Sequence, residues 1–267
     1  MLRADMRDVA LAWLSGAPAA VTMARLLAGG GRPFGMERSA RLRPRRIEMR
    51  RLLMSQARCV FSPSAWETLR KGFSSLGLQA ELWADASERA AFLHLGHEGD
   101  QPETLKLYLE YALPQTHYDG TLVFEAWKWH PGMGARRDFY RLVSPEAALA
   151  RLADLAVHAG PLGRIAAALA AWLPPDARLF ALDTSDDLLR RSLVLRLYDQ
   201  IKTIGALRPV LEVAADALEI DAATFEVLLA ERGPERLGNV ALGQGADGAP
   251  FLTVYGGAFS APLESVP

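Results

Sequence analysis

Residues 91–111, AFLHLGHEGDQPETLKLYLEY, place two alternating runs on either side of a polar turn. In the second run Leu105, Leu107 and Leu109 point one way, and Lys106, Tyr108 and Glu110 point the other, the period of a β-strand. The same pattern returns at 178–199, RLFALDTSDDLLRRSLVLRLYD, and at 238–256, GNVALGQGADGAPFLTVYG. Each copy closes on a basic or polar residue, one apolar residue and a tyrosine. The triplets are Lys106-Leu107-Tyr108, Arg196-Leu197-Tyr198 and Thr253-Val254-Tyr255. Recurrence at separated places predicts an architecture of repeated hairpins.

The segments between the hairpins read as amphipathic helices, which need an apolar sheet face to cover. The leucine face therefore meets helices, and the Lys/Arg/Tyr face is left for the other side of the sheet. Two outcomes follow from alternation alone: a closed sheet with a polar, aromatic lumen, or an open sheet with one wet face.

A chain of 267 residues, half of them hydrophobic, has enough apolar material for a sizeable core. A net charge of −1 gives no general electrostatic case for nucleic-acid binding. The single cysteine, Cys59, excludes an internal disulfide and fits a reducing, cytoplasmic setting. The N-terminus lacks the apolar core of a signal peptide, and Ile165–Leu173 is too short to span a bilayer.

Along the chain, residues 5–28 predict a helix interrupted near Gly16-Ala17-Pro18. Residues 29–46 read as a Gly/Arg-rich loop, and 47–59 as helix, giving an N-terminal helical segment over 1–60 ahead of the domain at 61–267. No linker separates them, so one structural domain is expected. Ser64 is the expected cap of a helix at 65–76, with Glu67 in the capping-box position. Strands are predicted at about 79–84, 91–97, 104–111, 121–129 and 137–143. Ser144-Pro145-Glu146 opens a helix. Further helices are predicted at 161–173, 205–217 and 221–232.

Gly243-x-Gly245-x-x-Gly248 matches a dinucleotide fingerprint by pattern, but Pro250 and a strand follow where a helix is needed; Asp247-Gly248 reads as a hairpin turn. Arg41, Arg43, Arg45, Arg46, Arg50 and Arg51 crowd one stretch without interleaved aromatics, which favours a solvated face over a nucleic-acid patch; a lid over phosphates is the minority reading. His94-x-x-His97 on a strand is a poor chelate, Ser185-Asp186-Asp187 lacks DDxxD spacing, and no metal motif appears. Val123, Glu125, Trp127 and Trp129 share a strand face. Either that face is luminal and sets a carboxylate beside two aromatic walls, or the tryptophans are core and Glu125 sits at the rim.

The K/R-x-Y triplets on successive hairpins, with helices outside, resemble the ABBA-type aromatic prenyltransferases, which include indole and cyanobactin peptide prenyltransferases. The resemblance covers about 79–256. It implies an α+β fold: an antiparallel β-barrel of repeated α-β-β-α units, helices outside, with a polar lumen. It also implies that Lys106 and Arg196 bind the diphosphate, with Arg137 as a weaker match, and that Tyr108, Tyr198 and Tyr255 shield the allylic cation. Trp127 and Trp129 are the expected acceptor walls. Glu125, Glu110 and Glu98 are the candidate proton acceptors, with Glu125 and then Glu110 preferred. The chain departs from the family in supplying four hairpins and a lone strand at 79–84 instead of five hairpins, and it is short.

The chemistry implied is transfer of a prenyl group from an allylic diphosphate to an indole or phenol, free or peptide-borne. Cations stabilise the leaving diphosphate, so a DDxxD-bound metal is not required and no cofactor is expected beyond the co-substrate, with Mg2+ left open. Tyrosine faces stabilise the carbocation and a carboxylate takes the ring proton. Neither a nucleic-acid partner nor a membrane span is expected. The rival readings are a catalytically silent barrel that binds an anionic or aromatic ligand or a peptide, and an assembly protein whose Arg-rich arm contacts a partner.

Overall fold

Among the described residues, ten antiparallel strands carry the fold. They are β1 (Gly35–Arg43), β2 (Arg46–Ala57), β3 (Ala90–Glu98), β4 (Thr104–Gln115), β5 (Leu122–Trp129), β6 (Arg136–Val143), β7 (Phe180–Asp186), β8 (Arg190–Arg196), β9 (Leu237–Gln244) and β10 (Pro250–Phe259). Also among the described residues are the α-helices α1 (Pro18–Ala28), α2 (Pro63–Ser75), α3 (Ala84–Arg89), α4 (Pro145–Ala156), α5 (Pro161–Trp172), α6 (Arg208–Ala217) and α7 (Ala222–Arg232). The computed structural model describes residues 10, 13–14, 16–28, 35–99, 103–115, 122–173, 180–186, 190–198, 202–245 and 247–259. The hydrogen-bonded order is β1-β10-β9-β8-β7-β6-β5-β4-β3-β2, closing as a barrel. The chain divides into two compact units: Met1–Glu37 with Arg50–Phe139 and Ala258–Pro267, and Arg38–Met49 with Tyr140–Gly257.

In the first unit Leu105, Leu107 and Leu109 of β4 are fully buried. They pack with Leu93 and Leu95 of β3, Leu52 and Met54 of β2, and Leu69 and Phe73 of α2. Burial of each such leucine contributes about 1.5–3 kcal/mol. In the second unit Leu193, Leu195, Val240, Leu242, Leu252 and Val254 pack against residues of α4, α5, α6 and α7, including Leu152, Ile165, Leu211 and Leu228. The leucine faces meet helices in both units, as the alternation predicts.

The segment expected as loop and helix over 29–59 is instead a strand pair from Gly35 to Ala57. This supplies the fifth hairpin. Its turn needs Arg45 at φ 64°, a left-handed conformation that Pro44 introduces. The Arg45 N–H donates to the Leu218 carbonyl at 2.7 Å, and its side chain pairs with Glu219 at 2.8 Å. The expected strand at 79–84 is a 3-10 turn, Ala80–Leu82, leading into α3. Leu78, Ala80 and Leu82 mimic strand alternation over too short a span to distinguish the two. Helix α2 begins earlier than expected: Ser62, not Ser64, is its cap, accepting the Ala65 N–H at 3.2 Å, with Pro63 in the first turn. Of the helix expected over 5–28, α1 forms the last part, and residues 1–9 lie outside the described set. The glycines at 243–248 make the β9–β10 turn, with Gly248 at φ 73° and its N–H donating to the Gly245 carbonyl at 2.9 Å.

Gly163 lets α5 follow α4 closely. A Cβ added there lies 1.9 Å from the His158 carbonyl oxygen, a backbone atom that cannot swing away. Gly163→Ala is expected to cost about 1–3 kcal/mol through the forced shift, read as a lower midpoint in urea with an unchanged slope.

Candidate active site

Strand register in the first unit sorts its side chains into transverse rows. Arg51 on β2 lies opposite Glu98 on β3, which lies opposite Thr104 on β4. The next row is Leu53, Gly96, Lys106 and Lys128; then Ser55, His94, Tyr108 and Ala126; then Ala57, Phe92, Glu110 and Phe124. All of these occupy the face opposite the leucines. Successive rows are about 7 Å apart, so Glu110 stands about 14 Å along β4 from Lys106.

The cationic end of this face is tightly built. Arg51, Glu98, Lys106 and Lys128 are all buried to 9% exposure or less. Glu98 Oε1 accepts from both Lys106 Nζ and Arg51 Nη2. Lys128 pairs with Asp138 of β6, a fully buried carboxylate that Arg136 also reaches at 3.1 Å. Gly96 makes room for the Lys106 stem: a Cβ there would lie 3.1 Å from Lys106 Cβ. Burying this much charge is costly unless paired.

Toward the other end the face becomes aromatic and acid–base in character. His94 Nε2 lies 2.8 Å from Glu110 Oε2, and its Nδ1 lies 2.7 Å from Ser55 Oγ. The Phe124 ring stands edge-on to His94 at 5.7 Å, and Phe92 lies at 6.4 Å. At the β3–β4 edge, His97 Nε2 lies 3.2 Å from Glu103, whose carboxyl burial pushes up, opposed by the Ala20 N–H.

In the second unit Arg196 lies opposite Asn239, which lies opposite Tyr255. Asn239 Nδ2 donates to Tyr198 Oη at 3.2 Å, and the Arg196 guanidinium lies 5.8 Å from the Tyr198 ring. On β1 and β10, Arg41 Nε donates to Thr253 Oγ1 at 3.0 Å and stacks over Phe251. These groups also lie on the face opposite the leucines of their strands.

Four expected site residues are placed elsewhere. Trp129, Trp127 and Glu125 lie opposite Leu105, Leu107 and Leu109, so all three belong to the leucine face. The tryptophans are core residues, and Trp129 Nε1 donates to the Leu76 carbonyl at 2.8 Å. They are therefore not walls beside Lys106. Glu125 is fully buried and accepts from Tyr111 Oη at 2.6 Å and from Arg137 Nε at 2.9 Å, with Arg89 at 3.9 Å. Arg137 also lies over the Trp127 and Phe139 rings. Glu125 and Arg137 thus form an ion pair on the helix-covered side, which removes one from the acid–base candidates and the other from the diphosphate candidates. Lys106, Tyr108 and Glu110 share the polar face of the first unit, and Arg196, Tyr198 and Tyr255 that of the second.

Sequence reasoning passed over Arg51, Lys128, Ser55, His94 and Asn239 as site residues. Lys128 was within reach, since it alternates with Glu125. Arg51 was not, because its strand was read as helix. Among the described residues no group of three or more His, Cys, Asp or Glu is arranged to hold a metal ion, and no helix is long and apolar enough to cross a membrane.

This strand order, with helices over the leucine faces, is the fold of the ABBA-type aromatic prenyltransferases. The similarity is seen against 5-dimethylallyltryptophan synthase from Streptomyces coelicolor, with TM-score 0.58, 14% identity and coverage of 94% of this chain and 96% of that one. The prenyltransferase PriB, in a ternary complex with L-tryptophan and dimethylallyl thiolodiphosphate, gives TM-score 0.60 at 14% identity, covering 99% of this chain and 100% of that one. AnaPT from Neosartorya fischeri gives 0.55 at 13% identity, covering 94% and 91%. No family model matches the chain, and no curated protein matches it in sequence.

Proposed function

We propose that this protein is an aromatic prenyltransferase, moving a prenyl group from an allylic diphosphate to an indole or phenol ring, free or within a peptide. The observation that carries the reading is the buried row of Lys106 and Lys128, with Arg51 beside it, on the face opposite the leucines. A diphosphate leaving group requires several charge-assisted donors in a desolvated place. Lys106 leads that set in the first unit. These side chains supply the countercharge themselves, so the reaction is proposed to run without a DDxxD-bound metal. Tyr108, Tyr198 and Tyr255 present aromatic faces for cation stabilisation. With Glu125 on the other side of the strand, Glu110 is the proposed proton acceptor. The exposed Cys59 thiol fits a reducing cytoplasm.

The test is direct. The protein is incubated with dimethylallyl, geranyl or farnesyl diphosphate and with tryptophan, tyrosine, simple phenols and short peptides, and products are read by mass. Transfer to an aromatic acceptor supports the reading; tight diphosphate binding with no transfer to any acceptor assigns a silent barrel instead. Lys106→Met is expected to weaken binding of an unreactive thiolodiphosphate by about ten- to a hundredfold in calorimetry, the loss of one charged contact. Equal binding by the variant removes Lys106 from the site.

A further inference from the structure

The acid–base end of the first unit's polar face holds an ordered array that a simple carboxylate base does not need. Glu110 on β4 stands in one transverse row between two phenyl rings, Phe92 on β3 and Phe124 on β5. Phe92 is 37% exposed, open to a partner ring. One row away, His94 reaches Glu110 with one ring nitrogen at 2.8 Å and Ser55 with the other at 2.7 Å. Three strands thus contribute a hydroxyl, an imidazole and a carboxylate in line.

We propose that Ser55 and His94 are positioning residues for Glu110, and that the acceptor ring lies against Phe92 and Phe124. The proposal rests on the prenyltransferase reading and extends it to the acceptor side. A neutral His94 whose Nδ1 accepts the Ser55 hydroxyl proton must carry its own proton on Nε2. That N–H donates to Glu110 Oε2 and fixes the orientation of the carboxylate. In the reaction the bond from the prenyl C1 to the diphosphate oxygen breaks, and its electron pair leaves with the diphosphate. A ring carbon bonds to C1. The C–H electron pair on that carbon then returns to the ring, and the proton passes to the Glu110 carboxylate. The phenyl rings suit a planar aromatic acceptor rather than an aliphatic one, and they lie two rows from the lysines.

The titratable and charged groups on the same face include Tyr108 and Lys106 on β4, Glu98 on β3, Lys128 on β5, Arg51 on β2, and Asp138 with Arg136 on β6. The lysine row lies two rows from Glu110, whereas His94 lies 2.8 Å from it.

The experiment compares the parent protein with His94→Leu, His94→Gln and Ser55→Ala, using an acceptor that the parent prenylates and its ring-deuterated form. His94→Leu is expected to lower kcat roughly tenfold or more at unchanged KM for the diphosphate. It should also move the acid limb of the pH profile upward, because a hydrogen bond to the ionised carboxylate is lost. A primary isotope effect from the deuterated ring, absent in the parent, should appear as proton removal becomes slow. His94→Gln, which keeps an N–H donor, should recover part of the rate, and Ser55→Ala should fall between it and the parent. Folded variants, checked by circular dichroism, that keep the parent's pH limb and show no isotope effect overturn the proposal while leaving the prenyltransferase reading in place. A parent that transfers to no aromatic acceptor overturns both.

Discussion

Glu110→Gln is expected to lower prenyl transfer by roughly 10²-fold or more while diphosphate affinity stays at the parent value. The amide keeps the size of the side chain and can still meet His94 Nε2, but it cannot accept a proton. Glu110 stands two rows from Lys106, so its substitution leaves the cationic end untouched. Single-turnover measurement with saturating diphosphate isolates the chemical step from binding. A Gln variant with parental turnover removes Glu110 from the mechanism. A variant that loses diphosphate binding in step with turnover shows that the residue shapes the whole face instead of taking the proton.

Glu125→Ala has the opposite signature. On the strand pattern alone, Glu125 is the better base, because two tryptophans share its face. The structure gives that face to the core. Removing the carboxylate strands the Tyr111 hydroxyl, which is 3% exposed, and leaves Arg137 and Arg89 without their shared anion. Breaking a buried pair of this kind costs about 3 kcal/mol or more, reduced here because Arg137 is partly exposed. For a chain of this size a loss of about 3 kcal/mol lowers Tm by on the order of 10 °C. Turnover per folded molecule should be retained at low temperature. A variant as stable as the parent, yet inactive, would return Glu125 to the chemistry.

These two carboxylates show how far the sequence could be read. Alternation correctly placed Lys106, Tyr108 and Glu110 together, and put Leu105, Leu107 and Leu109 under helices. It failed on β5 because every second residue there is large or charged on both faces: Phe124 and Lys128 on one, Glu125 and Trp127 on the other. Hydrophobicity does not choose between them. Only the register against β4 does, by setting Glu125 opposite Leu109. The first hairpin was hidden for a different reason. Ile47 and Met49 pack against the core at odd positions, whereas Leu52 and Met54 do so at even ones. The period-two signal breaks between them, and the arginines around the turn look solvated. In the fold they have partners: Arg43 meets Asp247, Arg46 meets Glu48 at 2.9 Å, and Arg51 meets Glu98. The Ser55–His94–Glu110 line was equally invisible, since its three members come from three strands, one of which was not recognised as a strand.

The carboxylate of Glu98, held by both Lys106 and Arg51, would make the proposed diphosphate binding at this face an exchange rather than a neutralisation. An intramolecular carboxylate competes at an effective concentration in the millimolar range or above, set by the strand that carries it. A singly charged visitor such as chloride or a lone carboxylate gains little by replacing it. An anion that spreads several charges over two linked phosphates can take both cations at once and outbid the resident. If this face binds the diphosphate as proposed, Glu98 sets a threshold that screens it against the weak anions that surround any protein in solution.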